Sequence, residues 1–99
     1  MLVAYGGFWM ARILLVDDES SILSVLSTLL KAEKYEVIAS LGGEKASQLL
    51  ASQEEFDLMI SDIRMSPING MQLLKQAHEV RPQMSVIMLT AYGSVETAI

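Results

Sequence analysis

The stretch ILLVDDES, residues 13–20, decides the fold. Residues 13–16 form an unbroken apolar run, which fits a strand of a parallel sheet buried on both faces. Asp17, Asp18 and Glu19 follow it at once. Two runs of the same kind lie downstream at residues 58–60 and 86–89, with Asp62 and Thr90 just beyond them. Residues 35–39, YEVIA, alternate in part and suit an edge strand with one wetter face.

Amphipathic stretches separate these runs. Ile22, Val25, Leu26, Leu29 and Leu30 recur at helical spacing behind Ser20 or Ser21 as N-cap. Ala46, Leu49 and Leu50 do so behind Gly42 and Gly43, and Leu73, Leu74, Ala77 and Val80 between Gly70 and the terminating Pro82. Ser94 is expected to open one more helix. Strands alternating with helices imply right-handed crossovers and an α/β fold, its parallel sheet covered on both faces. Reactive groups then gather outside the carboxyl ends of the strands.

A chain of 99 residues forms one domain at most. Hydrophobic residues at 52% and charged residues at 19% give a globular profile. The net charge of −5 argues against a nucleic-acid or anionic-membrane surface and suits a cation or a basic partner. Absence of cysteine excludes a disulfide framework, a thiolate nucleophile and a cysteine-based zinc site. The opening MLVAYGGFWMA is apolar, has no basic residue ahead of it, and is far short of the roughly 20 residues that span a bilayer. Met10 begins MARILLVDDE, which reads as a second start, so residues 1–10 are taken as an apolar N-terminal extension and residues 11–99 as the domain. A soluble protein is expected.

Three adjacent strand ends thus carry Asp17, Asp18, Asp62 and the Thr90 hydroxyl. Crowded carboxylates repel and raise one another's pKa unless a cation joins them, and Mg²⁺ takes one or two carboxylates plus waters. Any one aspartate in such a place commonly caps a helix or faces water. The joint pattern points instead to a metal.

The segments ILLVDDES, SDIRMSPINGMQLL and VIMLTAYGSVETAI resemble the three main signatures of response-regulator receiver domains, the phosphoacceptor modules of two-component signalling. The third is most similar to receivers of nitrogen-regulation-type, enhancer-binding activators. The resemblance runs from Ala11 to Ile99 and implies a flavodoxin-like sheet of strand order 2-1-3-4. It implies that Asp62 accepts a phosphoryl group from a histidine kinase. Asp17, Asp18, Asp62 and the backbone carbonyl of Arg64 would hold Mg²⁺, and Thr90 would act as the switch hydroxyl. Such a module is cytoplasmic, drives a transcriptional output and promotes its own phosphorylation and dephosphorylation without being a turnover enzyme.

Two departures from the family pattern stand out. Ser66 occupies a place usually held by proline, with Pro67 next and Gly70 still in register. Against the family, the chain also stops within the fourth helix and lacks the fifth strand and helix, together with a lysine that pairs with the phosphoryl group and an aromatic switch residue. The alternative is therefore a truncated receiver that serves as a non-phosphorylated interaction or dimerisation module. A phosphatase with an aspartate nucleophile wants a second aspartate where Arg64 stands. Loss of the fifth strand would leave residues 85–89 as an exposed apolar edge, an association hazard. Self-association through that strand is expected, or a cover by residues 2–5, since nine extended residues reach roughly 30 Å. His78 is expected on the surface, Tyr92 near the site, and Phe8 and Trp9 in contact with apolar surface.

Overall fold

The computed structural model describes residues 11–89 and 95–98. The elements are β1 (Arg12–Asp17), α1 (Ser20–Ala32), β2 (Glu36–Leu41), α2 (Gly43–Leu50), β3 (Leu58–Asp62), α3 (Gly70–Val80), β4 (Ser85–Leu89) and β5 (Val95–Ala98). They build one sheet in the order β2-β1-β3-β4-β5. The first four strands are parallel and in the expected order 2-1-3-4, with Ile13 opposite Val37, Leu14 opposite Met59 and Met59 opposite Val86. The partly alternating YEVIA run does lie in an outer strand, shifted to Glu36–Leu41.

The apolar runs supply both faces of the sheet. On one face Leu14, Val16, Met59, Val86 and Met88 meet Ala46 and Leu50 of α2 and Leu73 and Ala77 of α3. On the other, Leu15 and Val37 meet Leu23 of α1, with Leu26, Leu30 and Ile60 partly buried beside them. Each fully buried aliphatic side chain contributes about 1.5–3 kcal/mol relative to exposure. At the amino edge of the sheet, Arg12 bonds Glu36 and Glu54, each at 2.8 Å. The Arg12 and Arg81 guanidinium groups lie 5.2 and 5.3 Å from the centre of the Phe56 ring. Arg81 also donates to the carbonyls of Leu49 and Leu50, closing the end of α2.

Three expectations need correction. The residues after Ser94 form no helix: Val95–Ala98 is a strand antiparallel to β4, with Leu89 opposite Val95 and Val86 opposite Ala98. The β-branched Val95 and Thr97 suit a strand, and pairing satisfies the open backbone groups of β4. The fourth strand is consequently not an exposed edge, which removes the ground for self-association through it; the alternative cover, residues 2–5, lies outside the described residues. Finally, Glu19 and neither Ser20 nor Ser21 occupies the N-cap position of α1, and no side chain caps that helix.

Candidate functional site at the carboxyl edge of the sheet

β1 and β3 are direct neighbours with Val16 opposite Ser61, so Asp17 and Asp62 reach the carboxyl edge side by side. One carboxylate oxygen from each of Asp17, Asp18 and Asp62 lies within 4.8 Å of the others. The adjacent pair Asp17 and Asp18 and the distant Asp62 thus come to one point. Asp17 is buried, with 3% of its surface exposed. Asp62 is half-buried and Asp18 exposed.

Each anchor of this cluster follows from local backbone. Asp17 Oδ1 accepts the Glu19 N–H at 2.9 Å, and the Asp17 carbonyl accepts the Gly42 N–H at 2.8 Å. Gly42 has φ of +88°, a conformation that side chains disfavour, and this lets the chain turn from β2 into α2 beside the cluster. Asp62 Oδ1 accepts the Arg64 N–H at 3.3 Å. The Ser61 hydroxyl, fully buried, donates to the Asp62 carbonyl at 2.9 Å.

Burial pushes the Asp17 carboxyl above the ordinary carboxylate range. The Glu19 N–H opposes this, while the negative charges of Asp62, Asp18 and Glu19 add to it. Deprotonated Asp17 is therefore an acceptor with few protein donors and strong repulsion around it, the condition that a bound cation relieves.

The loop after β3 forms the rest of the site. A cavity of about 510 Å³ is lined by Asp18, Arg64, Met65, Ser66 and Asn69 among others. The loop returns into α3 at Asn69, whose side chain accepts the Gln72 N–H at 2.9 Å while Gln72 accepts the Asn69 N–H at 2.8 Å. This reciprocal capping box was missed from sequence, although Asn at 69 followed by Gln at 72 is its signal. Gly70 is held by its N–H to the Ile63 carbonyl at 2.9 Å. A Cβ there would collide with the Asp62 carbonyl and stand 2.8 Å from the Ile63 Cα, so only glycine lets α3 begin this close to Asp62.

Arg64, expected to contribute its carbonyl, lines this cavity as an exposed residue. Thr90 and Tyr92 lie outside the described residues; the strand leading to Thr90 sets Leu89 opposite Asp62, and the Ile63 N–H donates to the Leu89 carbonyl at 3.1 Å. His78 is exposed on α3, as expected. Among the described residues no helix is long and apolar enough to cross a membrane.

Comparison with known proteins matches residues 13–99 to the response regulator receiver domain. The transcriptional regulatory protein GlrR of Escherichia coli (strain K12) is 42% identical over 89 residues, a match covering 90% of this chain and 20% of that protein. The chain thus spans about a fifth of the length of the curated relatives it matches. Among solved structures, a CheY-like receiver domain protein from Methanospirillum hungatei JF-1 is 36% identical with a TM-score of 0.79, over 86% of this chain and 67% of that one. The response regulator protein TrrA from Thermotoga maritima, solved in complex with Mg(2+)-BeF, is 36% identical with a TM-score of 0.78, over 84% of this chain and 71% of that one.

Proposed function

Because the chain belongs to the response regulator receiver domain family, we propose that it accepts a phosphoryl group from a histidine kinase on the Asp62 carboxylate and passes the change to a transcriptional output. The single observation that carries this reading is the convergence of Asp17, Asp18 and Asp62 within 4.8 Å. Residues 11–99 form the receiver and residues 1–10 an extension. As part of a transcriptional regulator of the GlrR kind it acts in the cytoplasm, and it is consumed and regenerated as a phosphoacceptor without turning over a separate substrate.

The donor set fits Mg²⁺, since all three side chains offer hard carboxylate oxygens and the buried Asp17 carries a charge that its surroundings disfavour. Asp17, Asp18, Asp62 and the Arg64 backbone carbonyl would hold the ion, which when bound offsets negative charge on the attacking and transferring oxygens. The described chain supplies position. β3 presents Asp62 at the sheet edge, the Arg64 N–H orients one of its oxygens, and the other is available as nucleophile. A carboxylate oxygen attacks phosphorus, the bond from phosphorus to the donor imidazole nitrogen breaks, and the imidazole takes a proton from solvent. Little covalent work remains beyond alignment, as is general for phosphoryl transfer. The product, an acyl phosphate on Asp62, adds charge and acceptor oxygens beside the end of β4. Thr90, the next residue after that strand, would donate its hydroxyl to the phosphoryl group as the switch.

Incubation with acetyl phosphate and Mg²⁺ tests the chemistry. The account expects a covalent label that requires Mg²⁺ and is released by hydroxylamine, as acyl phosphates are. A label resistant to hydroxylamine, or formed equally with a chelator present, would contradict it.

A further inference from the structure

We infer that Gly43 is a positioning residue for the cation: the close seat it gives the loop between β3 and α3 sets that loop's distance from Asp17 and Asp18, and with it a preference for Mg²⁺ over Ca²⁺. The inference rests on the reading of Asp17, Asp18, Asp62 and the Arg64 carbonyl as the ligands. Those groups come from two strand ends, β1 and β3, and the loops that follow them. Something must hold the two in register. The turn from β2 into α2 touches both.

On one side the Gly42 N–H donates to the Asp17 carbonyl at 2.8 Å, and the Gly42 carbonyl accepts the Ser40 hydroxyl, also at 2.8 Å. Ser40 is fully buried, so the turn is tied to the end of β2 as well as to β1. On the other side α2 begins with Gly43 against Ile68. A Cβ at Gly43 would stand 2.5 Å from the Ile68 carbonyl oxygen and 2.9 Å from the Ile68 Cβ. The obstacle is the loop backbone, so the loop itself would have to move. Gly43 is buried and has no positive φ, and glycine is a poorer helix former than alanine. Neither backbone conformation nor helix propensity accounts for glycine here; the close approach does.

The loop that Gly43 abuts is the one that carries Arg64. Its ends are pinned to the sheet, since the Ile63 N–H donates to the Leu89 carbonyl at 3.1 Å and the Gly70 N–H to the Ile63 carbonyl at 2.9 Å. Its later part, at Ile68, sits on α2. That helix is in turn held to α3: the Ser47 hydroxyl donates to Gln76 Oε1 at 2.7 Å, and Gln76 Nε2 donates to the Ser47 carbonyl at 2.9 Å. A loop seated in this way has little play. Mg²⁺ needs near-octahedral oxygen ligands at about 2.0–2.1 Å, whereas Ca²⁺ accepts looser sets at about 2.3–2.6 Å. A close-set, rigid loop therefore favours the smaller ion, and pushing it outward by one methyl group erodes that preference.

Titration of the 99-residue chain with MgCl₂ and, separately, CaCl₂, followed by amide NMR shifts, reads the preference as a ratio of two affinities. In Gly43→Ala that ratio should fall several-fold, with Mg²⁺ binding weakened and Ca²⁺ binding little changed. Loss of fold stability alone weakens both ions in proportion and leaves the ratio where it was. Ile68→Ala is the control: it trims packing against the core but keeps the carbonyl and Cβ that Gly43 faces, so its ratio should match wild type. An unchanged ratio in Gly43→Ala overturns the inference, as does an equal fall in Ile68→Ala. Should Gly43→Ala fail to fold, Ile68→Gly decides: with that Cβ gone and the loop freed, the ratio should fall several-fold, and a wild-type ratio refutes the seat. Absence of Mg²⁺ binding to the wild type would instead remove the reading of the site, and this inference with it.

Discussion

Three carboxylates within 4.8 Å oppose folding unless their charge is offset. Asp17 makes the sign explicit. Its pKa in the folded chain is raised, first by burial and then by its acidic neighbours, so the native state holds a proton more firmly than the unfolded chain does. Stability from this group is fully present below the ordinary carboxylate range and is lost as pH rises through the raised value. At neutral pH and without divalent ions Asp17 is thus a net burden. Asp17→Asn, whose side-chain oxygen can still accept the Glu19 N–H, should raise the melting temperature of the metal-free chain at neutral pH and flatten its pH dependence; calorimetry checks this, and a lower melting temperature would contradict it. The acids themselves were legible in sequence because each follows an apolar run. The buried Ser61 hydroxyl on the Asp62 carbonyl was not, since a serine beside an aspartate carries no sign of the direction in which it bonds.

At the scale of elements, α3 shows how the site is held. Its start is fixed by the Asn69 and Gln72 capping box and by the close approach of Gly70 to the Asp62 backbone. Gly70→Ala would force that backbone apart, and overpacking of this kind costs about 1–3 kcal/mol. Denaturant unfolding should show the loss, together with a weaker response to Mg²⁺; an unchanged midpoint would mean that α3 does not lean on Asp62. The sequence named Gly70 as a helix start, but the reason for glycine lay in a contact with residues of β3. Two other elements show where periodicity stops informing. In α1 the helical spacing picked out Ile22, Val25, Leu26, Leu29 and Leu30, yet the sheet takes Leu26 and Leu30 together with Leu23, which that reading passed over, and leaves Ile22, Val25 and Leu29 outside. For Val95–Ala98 a local helix signal lost to the unpaired backbone of β4, a demand set by a distant strand and invisible in the segment itself.

The molecule as a whole is organised to bring separated acids to one edge. Parallel order 2-1-3-4 sets β1 beside β3 and β3 beside β4, which places Asp17 and Asp18 next to Asp62 and ends β4 opposite Asp62. Alternating apolar runs and amphipathic stretches made the parallel α/β architecture readable, whereas the strand order came from the resemblance to a family whose order is known. Covers at the flanks were less readable because they depend on which surfaces remain after the sheet has closed. The claim on which the account rests is that Asp62 is the phosphoacceptor. Intact-mass measurement of wild type and Asp62→Asn, each incubated with acetyl phosphate and Mg²⁺, tests it most directly. The account predicts one added phosphoryl group on the wild type and none on the variant, whereas equal labelling of both would contradict it.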